Sequence, residues 1–224
     1  MGFSRLAVSA LVLTTIITPA AAQVPRGSSS SKPHAHASEA TSTDAGAIVD
    51  GVYRNDWLNL SYKVPFGWVD RTTDMQEGSE PGKSMLLLSL FERPPEAPTG
   101  GINPSTVIAA ESKSSYPGLK SPDEYLGPIQ ELATARGFKP DGAPYEFVVG
   151  GKRVVRQDFA RGSGDSAVRQ TSLVYVQKNW IISLTFLGSS QDEVDDLVGK
   201  LSFGGAISPP KTGNKAHPDP AKPL

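Results

Sequence analysis

Several groupings in this chain have the residue types and spacings that chemistry uses. Asp56, Asp70, Asp74, Asp158 and Asp165 are carboxylates that, brought together in pairs, would serve as the acid and base of a hydrolase. Lys152, Arg153, Arg156, Arg161 and Arg169 concentrate positive charge in one short stretch, which suits an anionic ligand or partner held by charge-assisted hydrogen bonds. His34 and His36 could offer two imidazoles to a transition metal, but two ligands on a Ser- and Ala-rich stretch do not fix a coordination geometry. Ser29 and Lys32 have the spacing of a Ser/Lys dyad, yet a catalytic lysine needs burial to lower its pKa and this one sits among polar residues. Gly162-Ser163-Gly164-Asp165-Ser166-Ala167 loosely matches a dinucleotide-binding loop. It joins two strand candidates rather than opening a helix, and so reads as a hairpin loop.

Composition narrows these options. There is no Cys, which removes disulfides, thiolate metal sites and a cysteine nucleophile. The three His are His34, His36 and His217, all outside the stretch that reads as folded, so a Ser-His-Asp arrangement would have to recruit a tail. With 22 Lys+Arg against 23 Asp+Glu the formal net charge is -1, and no basic field draws the chain to nucleic acid. The expectation is a binding module with no catalytic set, no cofactor and no metal, whose candidate partner-binding residues are Lys152, Arg153, Arg156 and Arg161. The partner is an unknown protein or small ligand. The alternative is an envelope hydrolase using paired carboxylates.

The elements that must position those residues occupy the middle of the chain. Met1 to Arg5 supplies a positive charge, Leu6 to Ile17 is apolar but short for a membrane span, and Ala20-Ala21-Ala22 fits a signal-peptidase site. Residues 1–22 therefore read as a signal peptide cut near Ala22, which sends the mature chain to the periplasm or beyond. Residues 23–50, rich in Ser, Ala, Thr and Pro, read as a disordered linker, and 205–224, rich in Pro and Lys, as a disordered tail. The folded unit is expected at 51–204, and no later stretch has the length of a transmembrane span.

Within it, Leu58, Leu60, Tyr62 and Val64 alternate as in a half-buried strand, ended by Pro65-Phe66-Gly67-Trp68. Met85 to Phe91 reads as a central strand covered on both faces, and Ser105 to Ala110 as a further strand. Ser121-Pro122-Asp123-Glu124 has the form of a capping box that starts a helix ending near Gly137, with a kink expected at Gly127-Pro128. Tyr145–Val149 and Lys152–Phe159 flank Gly150-Gly151 as one hairpin, and Leu173–Gln177 and Trp180–Leu187 flank Lys178-Asn179 as a second. Ser190 to Glu193 is another capping box, followed by Val194, Leu197, Val198 and Leu201 on one helical face. Strands, helix, four strands and helix make an α+β domain in which helices cover an antiparallel β-sheet. Asn59-Leu60-Ser61 is a glycosylation sequon in a eukaryotic export route only.

Leu60-Ser61-Tyr62-Lys63-Val64-Pro65-Phe66-Gly67-Trp68 resembles the "strand, Pro, Gly-Trp" opening of the PsbP-like superfamily, and Val198-Gly199-Lys200-Leu201-Ser202-Phe203 resembles its closing helix ending in Ser-Phe. The resemblance implies an α/β/α sandwich and an exported bacterial protein, and it implies binding or assembly rather than catalysis. It carries no partner-specific residue over to this chain.

Overall fold

The structure, a computed structural model, describes residues 45–76, 83–94, 101–163 and 167–204. Two antiparallel sheets account for most of them. The larger has eight strands in the order β4-β5-β6-β11-β10-β9-β7, with β8 also paired to β9. Its strands are β4 (Val69–Asp70), β5 (Ser84–Phe91), β6 (Ser105–Ser112), β7 (Lys139–Pro140), β8 (Tyr145–Val149), β9 (Lys152–Arg161), β10 (Val168–Gln177) and β11 (Trp180–Gly188). The smaller sheet, in the order β1-β2-β3-β12, contains β1 (Ala47–Val49), β2 (Val52–Asn55), β3 (Leu60–Lys63) and β12 (Leu201–Phe203). Among the described residues three α-helices join them, α1 (Thr72–Met75), α2 (Leu126–Ala135) and α3 (Gln191–Val198), with 3-10 turns at Lys113–Ser115 and Pro122–Tyr125. The α+β class read from the element order is the architecture found.

Both expected hairpins form. Gly150 and Gly151 carry φ of 53° and 82°, the paired positive values that let a two-residue turn follow strand twist, and they set Val149 opposite Lys152. Lys178 takes φ 55° in the second turn, which sets Gln177 opposite Trp180. Register then sorts side chains by face. Leu173, Leu184, Ile182, Ile108 and Phe186 join Tyr53, Leu60, Tyr62 of the small sheet and Val194, Leu197 of α3 in the main core. On the opposite face Val174 and Ile181 pack with Tyr116, Tyr125 and Leu126, while Phe159 packs with Ala133 and Phe138 at the end of α2. The layers are α2, the large sheet, then α3 with the small sheet. Trp180, expected at the head of the core face, is half-buried and meets Trp57 edge-to-face at 5.7 Å.

The structure departs from the sequence reading at several ends. The strand expected from Leu58 begins only at Leu60, because Asn59 takes φ 51° in a turn that buries Leu58 from the side. The capping box at Ser121 does not form: Ser121 makes no side-chain cap, and the Glu124 carboxylate accepts from the Lys120 N–H instead. Pro122–Tyr125 is a 3-10 turn, and the α-helix opens at Leu126. Pro128 thus falls in the first helical turn, where a missing N–H removes no intrahelical bond and no kink is required. At Ser190 the hydroxyl accepts from the Glu193 N–H as expected, but the Glu193 carboxylate reaches Ser189. Leu201 to Phe203 is not helix but β12, which pairs Leu201 with Tyr62 and Phe203 with Leu60. The two segments that carry the PsbP-like resemblance therefore meet in one ladder. Met85 to Phe91 is buried on both faces but lies next to the edge: a register shift between Leu86 and Leu88 and the cover of α1 bury it, rather than a central place. At the N-terminal side, β1 pairs with β2 ahead of residue 51, within the stretch read as linker.

Candidate functional site

An open groove of about 710 Å³ lies on the α2 face of the large sheet, where the helical layer stops short of the sheet's β8 side. Its floor is built by residues 152–155 of β9 and 174–176 of β10, and register turns Val155, Val174 and Val176 toward this face. Ser121, Pro122 and Asp123 of the 3-10 turn form one wall, and Pro144, Tyr145 and Glu146 form the other. At the rim Arg153 donates to Glu146 at 2.7 Å across two exposed side chains. The groove thus has an apolar floor and a few polar groups at its lip, the composition of a recognition cleft.

The basic residues singled out in the sequence do not form one patch. Successive side chains on β9 alternate faces, so Lys152 and Arg156 fall on one face, Arg153 and Arg161 on the other. Both Lys152 and Arg153 border the groove, but only Arg153 turns its side chain to the groove face. The Lys152 ammonium donates to Gln177 at 2.7 Å and lies 3.8 Å from the Tyr175 ring centroid, and burial lowers its pKa. Arg161 stacks over Phe138 and donates to the Arg136 carbonyl, which lies just past the C-terminus of α2. Arg169 pairs with Asp141 at 2.6 Å.

Arg156 is buried, and its surroundings make it a clamp. Its Nε donates to Asp158 at 2.9 and 3.1 Å, and one terminal nitrogen donates to Asp195 of α3 at 2.6 Å. Asp158 accepts further from the Thr171 hydroxyl at 2.5 Å and the Tyr145 hydroxyl at 3.1 Å. Tyr145 and Phe147 present their rings to the guanidinium at 6.0 and 5.0 Å. Burial opposes the Arg156 charge, but the hydrogen bonds to Asp195 and Asp158 prevail and its pKa is raised. Desolvation raises the pKa of Tyr145, partly opposed by the Arg156 charge.

Of the named carboxylates among the described residues, only Asp158 converges with another, and its partner across Arg156 is Asp195, which alternation did not suggest. The oxygens of Asp158 are engaged by Arg156, Thr171 and Tyr145, an arrangement that fixes α3 to the sheet rather than holding a transferable proton. Asp56, Asp70 and Asp74 are exposed; Asp70 accepts from the Thr72 N–H and hydroxyl, and Asp74 lies 3.9 Å from Arg71. Asp165, His34, His36, His217, Ser29 to Lys32 and the proposed signal peptide lie outside the described residues. Among the described residues no group of three His, Cys, Asp or Glu is placed to hold a metal, and no helix is long and apolar enough to cross a membrane.

The groove walls from Ser121 to Asp123 and from Pro144 to Glu146 escaped sequence reasoning. Their one signal is the placing of Pro122 and Pro144 at the ends of segments, which marks turns but not a cleft.

No family model and no curated protein matches the chain. Among solved structures, a crystal structure from Bacteroides thetaiotaomicron VPI-5482 is similar with 11% identity and a TM-score of 0.34, covering 65% of this chain and 45% of that one. The crystal structure of LpqN, involved in cell envelope biogenesis of Mycobacterium tuberculosis, has the same identity and TM-score and covers 65% of this chain and 83% of LpqN. This chain thus spans less than half the length of the first, and likenesses of this size place it in no family.

Proposed function

We propose that this chain is an exported, non-catalytic binding or assembly module of the PsbP-like kind, and that its recognition surface is the groove between the 3-10 turn and strands β8 to β10. The observation that carries this reading is the groove itself, with valines left partly uncovered in its floor and an ion pair, Arg153–Glu146, at its lip. Arg153 belongs to that surface, while Lys152 borders it with its backbone and turns its ammonium to Tyr175 on the other face. Arg156 and Arg161, proposed with them from the sequence, act beside it as a clamp and as a cap on α2. The PsbP-like part of this reading rests on the sequence resemblance of the two segments that meet in the β12–β3 ladder, the second of which is a strand at Leu201–Phe203 and not the end of a helix. Export rests on the signal-peptide reading of residues 1–22, with the folded unit lying between the linker and tail.

The test is capture from the native envelope with the full exported chain, comparing wild type with Val155→Glu and Arg153→Glu. A partner or ligand retained by wild type and lost in both variants, with unchanged melting behaviour, is the expected result. Equal recovery with all three proteins would move recognition away from the groove. Turnover of an ester, glycoside or phosphate substrate abolished by Asp158→Asn in a folded protein would overturn the non-catalytic reading.

A further inference from the structure

We propose that the groove receives the Phe66 turn of a second copy of this chain, in a head-to-tail contact. This rests on the reading of the groove as a recognition surface and names its occupant.

The donor is a rigid apolar knob. The Trp68 N–H donates to the Pro65 carbonyl at 3.2 Å and Gly67 takes φ 79°, so Pro65 to Trp68 is a tight turn with Phe66 at its corner. Phe66 has a relative exposure of 105%, the highest among the large hydrophobic side chains exposed on the described surface. Val64 and Trp68 on either side pack against the main core, so the knob is held in place and little freedom is lost when it is captured. A single exposed apolar residue is ordinary, but a fully exposed Phe on a stiff, convex turn presents a shape that only a concave apolar partner can cover.

The groove supplies that concavity. Val155 and Val176, both partly uncovered, match the ring's chemistry, and the volume admits Pro65 and the turn backbone along with the ring. The charges at the two margins are opposite. Lys63 is exposed at the base of the knob, and Asp123 is exposed on the groove wall, while Arg153 at the lip is already held by Glu146.

One copy cannot satisfy itself. The Asn59 end of β3 meets Gly204, and the neighbouring Phe203 donates to Gly150 beside the groove; the other end of β3 meets Gly51 and Lys200 and leads to Phe66. The knob therefore stands a strand length beyond the groove's end of the molecule. It also leaves the small sheet, on the opposite face of the large sheet from the groove. A knob and a hole on different surfaces make a heterologous contact, which propagates or closes into a ring instead of stopping at a two-fold dimer.

Sedimentation of the full exported chain tests this. Wild type is expected to grow in mass with concentration, and Phe66→Ser and Val155→Glu each to weaken association at least about tenfold. An equimolar mixture of those two variants should yield a one-to-one dimer and nothing larger, because the mixture retains one working knob and one working groove. If Val155→Glu does not fold, charge reversal replaces it: Lys63→Asp and Asp123→Lys should each weaken assembly, and the two changes together should restore it. Wild type that stays monomeric up to about 1 mM, Phe66→Ser that assembles like wild type, or variants that do not pair when mixed would overturn the proposal. Loss of an envelope partner in Val155→Glu but not in Phe66→Ser, with no self-association, would leave the groove reading standing and remove this occupant.

Discussion

A guanidinium under a layer of helix and sheet costs several kcal/mol in lost hydration unless carboxylates meet it, and Arg156 is met by two. Arg156→Met should therefore destabilise the fold by about 3–5 kcal/mol, since it leaves the poorly solvated Asp158 charge without its cation. Asp195→Asn should cost about 1 kcal/mol, because Asp195 is half-exposed and water replaces part of what it loses. Denaturant titration separates the two, and equal losses would mean that Arg156 is not the hub. The buried tyrosines offer a second contrast at this scale. Tyr62 shares a hydrogen bond with Thr106 at 2.9 Å, whereas the Tyr175 hydroxyl is buried with no hydrogen-bond partner among the described residues. Tyr175→Phe should be neutral or stabilising by about 1 kcal/mol, and Tyr62→Phe should cost about 1 kcal/mol. A destabilised Tyr175→Phe would reveal a bound water that the hydroxyl serves. None of this clamp was legible as a set: Arg156 and Asp158 lie two apart on β9, but Thr171, Tyr145 and Asp195 join them only through strand pairing and the docking of α3.

Elements were legible where local chemistry decides them. The Gly150-Gly151 and Lys178-Asn179 turns announce their hairpins because positive φ has to fall on the turn residues, and Gly137 ends α2 with φ 82° for the same reason. Elements defined by distant partners were not legible. β12 is three residues that read as the end of a helix until β3 pairs with them, and the basic stretch reads as a patch until alternation splits it. The diglycine carries a measurable asymmetry. A Cβ on Gly150 would lie 2.7 Å from the Ser202 Cα, while one on Gly151 would meet nothing within 4 Å. Gly150→Ala should cost about 2–4 kcal/mol from positive φ and backbone overlap together, and should loosen β12 from the hairpin turn. Gly151→Ala should cost about 1 kcal/mol from φ alone. Melting curves of the two variants decide it, and a larger loss at Gly151 would mean that β12 does not approach the hairpin.

At the scale of the whole molecule, the core encloses several phenols, and this sets the alkaline limit of the fold. Burial pushes the Tyr53 hydroxyl up to about 12, and it raises Tyr62, Tyr116, Tyr125 and Tyr175 as well. In the unfolded chain each would ionise near 10. A group whose folded pKa is raised contributes stability that is fully present below the unfolded value and is lost as pH rises toward the folded one. For Tyr53 alone a displacement of about two units corresponds to about 3 kcal/mol, a large share of the 5–15 kcal/mol typical of a domain. Lys152 acts in the opposite sense: burial depresses its pKa, so its penalty is relieved as pH climbs through the folded value, but it is one group against five tyrosines. Stability should therefore hold up to about pH 10 and fall steeply between about pH 10 and pH 12. Tyrosinate absorbance from the five buried phenols should appear in step with loss of the circular-dichroism signal of the sheets. Tyrosinate that forms gradually while the sheets stay intact would show that water reaches these hydroxyls, and the packing of the small sheet on the large one would have to be looser than the structure has it.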